Sequence, residues 1–124
     1  MKASELMLED YVLLNGKPVK VCSIDTTGEI IVSGGEVWID GNAVEPIPIT
    51  PEILEKNGFV LKEEEVGMYG VKIAPHYTRD DLPFEVFCDG EPFAIWFNNP
   101  VNIKYIHQLQ HALRLCGIEK EITI

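Results

Sequence analysis

Between residues 11 and 40 the chain is a succession of short β-branched and aliphatic runs cut by glycine, and this punctuation constrains the fold more than any other feature. YVLL is followed by Asn15-Gly16, KPVKVCSID by Thr27-Gly28, and EIIVS by Gly34-Gly35 before EVWID. Asn-Gly places two residues that tolerate positive φ where a type I′ turn needs them, so the first two runs form a tight hairpin. No helix of ordinary length fits between such breaks. Alternation sets Val19, Val21 and Ser23 against Lys20, Cys22 and Ile24. Four or five short strands in this stretch make a meander resembling a small SH3-like barrel.

The next segment, VEPIPITPEILEKNGF, changes character. Pro46, Pro48 and Pro51 hold the backbone extended until Thr50 can cap a short helix with Pro51 at its first position. Asn57-Gly58 supplies the left-handed stop, and Phe59 opens the next strand. Glu63, Glu64 and Glu65 read as a solvated turn, and HYTRDDLP as loop. Strands are expected near residues 70–75, 84–88 and 92–97, with Asp89-Gly90 turning the last pair. Phe93, Ile95 and Phe97 would share one face of the last strand and Ala94 and Trp96 the other, which reads as a strand covered on both sides. Asn98-Asn99-Pro100 breaks it, and residues 103–116 become helical, with Ile106, Leu109, Leu113 and Cys116 on one stripe. Gly117 ends the helix, and the tail EKEITI reads as an edge strand. The expectation is an α+β protein: an N-terminal SH3-like small β-barrel followed by an antiparallel β-sheet packed by a C-terminal α-helix. The lobes would be 1–49 and 50–124, within a length of 124 residues that also suits one compact domain.

A chain that is 46% apolar and 24% charged can bury a core and is not a disordered one. Its net charge of -10, from 20 acidic and 10 basic residues, argues against a nucleic-acid partner, because phosphate binding runs on Lys and Arg. Anionic lipid is disfavoured on the same ground, and no apolar run is long enough to span a bilayer. Three cysteines without a C-x-x-C pair do not make a disulfide framework; they read as reduced and mostly buried. With no signal-like N-terminus, the expected location is the cytoplasm.

His107 and His111 stand four apart and can present two imidazoles to one metal, but the glutamate of H-E-x-x-H is missing and no third ligand follows at metal spacing. His76, Asp80 or Asp81 could approach them in space as a third ligand. No nucleophile elbow or phosphate loop occurs, and the cysteines lack an activating neighbour. We therefore assign no catalytic residue, no metal site and no cofactor. Residues 92–118 contain no acid at all, whereas Lys104 and Arg114 make this stretch positive within an acidic chain. Trp96, Asn98, Tyr105, His107, Gln108, His111 and Arg114 form the candidate binding set, with imidazoles and guanidinium outward. The alternative is intramolecular: the neutral helix face docks on acidic parts of its own fold.

KASEL with YVLLNGKPVKV, then VEPIPITPEILEKNGF, then KYIHQLQHAL, resemble a set of uncharacterised proteins from gut Bacteroidetes genomes, often in prophage or mobile-element regions. Residues 46–59 and 105–110 carry the recurring signature. The resemblance implies a bacterial or phage origin and an intracellular accessory role, and no activity. The leading expectation is thus a nonenzymatic module that engages a protein partner. A binder of a small anionic ligand such as a nucleotide is second, and a metal-dependent hydrolase third.

Overall fold

A computed structural model describes residues 2–62, 65–66, 70, 72–88, 91–97, 99–118 and 121–124, with 65, 66, 72 and 73 described by backbone alone. The expected turns at Glu63-Glu64 and Asp89-Gly90 lie outside the described residues, as does Asn98. The chain groups into two units, Met1–Pro48 with Tyr105–His111, and Ile49–Lys104 with Ala112–Ile124.

In the first unit four strands follow one another in an antiparallel meander: β1 (Tyr11–Leu14), β2 (Lys17–Ile24), β3 (Glu29–Val32) and β4 (Ile39–Asp40). Asn15 and Gly16 both have positive φ, 51° and 79°, which is the type I′ hairpin the Asn-Gly pair requires. After β4 a 3-10 turn (Gly41–Ala43) leads back to β1, where Leu13 and Glu45 exchange backbone hydrogen bonds at 2.8 and 2.9 Å. That exchange ties the end of the meander to its first strand and curls the sheet into a half-barrel. Gly41 permits it, because a Cβ there would stand 3.0 Å from the Gly28 carbonyl oxygen and 3.1 Å from Ala3. Val12, Val21, Ile30 and Val44 are fully buried at its centre, each contributing about 1.5–3 kcal/mol by leaving water.

One residue departs from simple alternation. Val21 pairs with Val32 and Ser23 with Ile31, so Cys22 is the extra residue of a β-bulge. The bulge shifts parity, which brings both Val21 and Ile24 to the core and leaves Cys22 exposed, not buried as the sequence suggested.

In the second unit, α1 (Pro51–Lys56) starts at Thr50, whose Oγ1 accepts from the Ile53 N–H at 3.3 Å, and stops at Gly58 with φ 84°. β5 (Val60–Lys62) follows, then a separate hairpin of β6 (Glu65–Val66) and β7 (Lys72–Ile73). β8 (His76–Thr78), β9 (Phe84–Phe87), β10 (Phe93–Trp96) and β11 (Asn99–Val101) complete a five-stranded antiparallel sheet in the order β11-β10-β9-β8-β5. Ala94, Val86 and Tyr77 face each other across three strands and are buried together. On the other face Phe87 and Phe93 stack at 5.0 Å, but Phe93 stays 36% exposed, so β10 is less covered there than expected.

Two expectations fail here, and a third holds. HYT is a strand, because His76 and Tyr77 are buried between β5 and β9. The strand break expected at Asn98-Asn99-Pro100 is observed, since β10 ends at Trp96; β11 then pairs back on β10 from Asn99, with Pro100 tolerated on an edge strand. The tail forms no strand over its described residues 121–124; Thr123 is instead held by the Asn57 side chain, which donates to its carbonyl and accepts from its N–H, both at 2.8 Å.

The final helix, α2 (Ile106–Leu115), carries the expected stripe: Ile106, Leu109 and Leu113 are buried. Its first half belongs to the first unit and its last turn to the second. Among the described residues no helix is long and apolar enough to cross a membrane.

Candidate functional site

A cluster of hydrogen-bonded polar side chains lies in the first unit, where the start of α2 meets a turn just before β1. Glu9 in that turn has φ 72°, a left-handed conformation that costs a non-glycine residue about 1–2 kcal/mol. Its N–H donates to the Val21 carbonyl at 2.8 Å, and the Val21 N–H donates to the Asp10 carbonyl at 2.9 Å. The turn drives Asp10 to complete burial. Asp10 Oδ2 accepts from the Met7 N–H at 2.8 Å and lies 2.6 Å from His111 Nε2. A carboxylate without water is kept only where it is paired and hydrogen-bonded, and His111 with Met7 provides that.

Gln110 completes the seat. Its Oε1 accepts from the Tyr11 N–H at 2.9 Å and its Nε2 donates to the Glu9 carbonyl at 3.0 Å. His107, one turn before His111, is 4% exposed, lies parallel to the Tyr105 ring and meets His111 edge-on at 5.7 Å. Its Nδ1 is buried without a hydrogen-bond partner. Burial pushes the His107 imidazole below its ordinary 6.5; Asp10 pulls it up, His111 pushes it down and Glu5 pulls it up.

The expectation that the imidazoles point outward fails at His107, and half-buried His111 is committed to Asp10. The physical reason is the acidic turn: it offers a buried acceptor to one histidine and two backbone groups to Gln110. Tyr105, His107, Gln108 and His111 are brought together, with Gln108 Oε1 accepting from the Tyr105 N–H at 3.1 Å. Trp96 and Arg114, both half-buried, belong to the second unit. Trp96 packs on Phe84 at 5.2 Å, and Lys104 pairs with Glu91 at 3.1 Å. Asn98 lies outside the described residues.

Two functional candidates escaped sequence reasoning. Asp10 is one; its only signal was an acid directly preceding an apolar strand. Phe97 is the other. It sits at the tip of the β10–β11 turn, 75% exposed, with φ 50°. An aromatic followed by two asparagines and a proline was the available signal for a tight turn there.

Among the described residues no three His, Cys, Asp or Glu side chains converge as a metal site. His76 is buried, with Nδ1 2.9 Å from the Ala74 carbonyl oxygen, and Asp81 is gripped by Arg79 at 2.6 Å from Nε. Burial pushes the thiols of Cys88 and Cys116 up, and Asp81 adds to the effect at Cys116, so neither is an activated nucleophile. No protein-family model matches this chain, and neither a curated protein nor a solved structure does.

Proposed function

We propose that the chain is a nonenzymatic protein-interaction module, an accessory protein of a phage or mobile element, whose contact is centred on the tip of the β10–β11 hairpin. The observation that carries this reading is Phe97. A left-handed φ on a bulky residue costs about 1–2 kcal/mol, and a ring that is 75% exposed recovers little of it among the described residues. Glycine would serve the turn better. A side chain that is costly to the fold on both counts is explained by what it touches elsewhere, and aromatic anchors are enriched at interfaces. Trp96 supplies a firm base, its ring 6.5 Å from Phe97 and packed against Phe84 on the other side. The genomic reading rests on the resemblance of residues 46–59 and 105–110. A reducing cytoplasm suits the three free thiols.

A small anionic ligand finds less to hold in the histidine cluster. His111 is already paired with Asp10, and an anion beside that carboxylate would be repelled.

The test is capture of a partner from bacterial extract by the tagged full chain, comparing wild type with Phe97→Gly and Leu115→Ala. Leu115 is the control, an apolar helix residue 81% exposed. Phe97→Gly should lose capture while its unfolding midpoint stays level or rises, and Leu115→Ala should bind as wild type does. Undiminished capture by Phe97→Gly would reject the hairpin tip.

A further inference from the structure

We infer that His107 is an acid-sensitive latch: a proton on its imidazole releases the Tyr105–His111 segment from the turn at residues 9–11 within the first unit. His107 is 4% exposed and its Nδ1 has no acceptor or donor opposite it. A neutral ring tolerates this, because the loss is one unmade hydrogen bond. A protonated ring does not, since both nitrogens become donors and the charge has left water.

The groups facing it offer no adequate counter-ion. Asp10 and Glu5 attract the proton, His111 repels it, and Tyr105 presents only a ring face. Asp10 is the buried carboxylate among them, and its Oδ2 is already taken by His111 and by the Met7 N–H. Burial therefore prevails over attraction.

The released segment carries an imidazole with its ordinary value of 6.5, whereas the seated one binds the proton only at lower pH. Seating is fully favoured above about pH 6.5 and weakens as pH falls toward the depressed value. Release also frees Glu9, held left-handed while Gln110 grips its carbonyl. The strained turn is thus biased toward opening once the ring is charged.

Amide hydrogen exchange on the wild-type chain at pH 7.5 and 5.0, corrected for intrinsic rates, reads the latch directly. The Tyr11 amide, bonded to Gln110, and the Leu109 amide, bonded to the Tyr105 carbonyl, should exchange faster at pH 5.0 by up to about 30-fold, the factor by which an ordinary imidazole favours the open form. Amides of β9 and β10 are the control and should not follow. His107→Gln should abolish the difference. Should that variant not fold, the His107 ring signal in the wild type decides: it should titrate below 6.5 in step with the exchange. Equal corrected rates at the two pH values, an undiminished rise in His107→Gln, or a ring that titrates at its ordinary value without accelerated exchange would each overturn the latch.

Discussion

One amide side chain, that of Gln110, satisfies both backbone groups flanking the buried Asp10. It accepts from Tyr11 and donates to Glu9, so its removal strands an N–H and a carbonyl beside a carboxylate that has no water. Gln110→Ala should cost about 2–3 kcal/mol in urea unfolding, because leaving buried polar groups unpaired costs more than an average hydrogen bond contributes. A loss of under about 0.5 kcal/mol, the level of an ordinary surface substitution, would show that the seat is open to solvent. The common side of His107 and His111 was legible from their spacing. Their destination was not, because His111 meets Asp10 across 101 positions of sequence, and a contact of that kind leaves no periodic trace. An acid beside a strand also reads as surface until the turn at Glu9 is known to face inward.

Among the elements, those set by local chemistry were readable. The Asn15-Gly16 turn, the Thr50 cap and the Gly58 stop each depend on one or two residues with special backbone or hydrogen-bonding needs. Elements set by tertiary pairing were not: β8 is three residues long, too short for a period, and exists because its neighbours bury His76 and Tyr77. The bulge at Cys22 likewise breaks an alternation that sequence alone would continue. Asn57 shows both kinds of information in one residue. It ends α1, as expected, and its amide also grips the Thr123 backbone. Asn57→Ala should therefore free the C-terminal tail, read as faster trimming by a carboxypeptidase, with about 1–2 kcal/mol lost from stability. Trimming at the wild-type rate would mean that the tail is not held by this residue.

Over the whole molecule, polar and aromatic residues divide into those consumed by folding and those left on display. The acid-free stretch at residues 92–118 read as one recognition surface, yet it contains both kinds: Gln110 and His107 are spent internally, while Phe97 is held out at the cost of its backbone conformation. The three histidines sample this division in a single experiment on the native chain. Acylation of imidazoles by diethyl pyrocarbonate, followed residue by residue by mass spectrometry at pH 7.5, should modify half-buried His111 first, with His76 and His107 reacting only as the protein opens. Modification of His107 at the rate of a free imidazole, in protein that remains folded, would contradict the inward seat on which the account rests.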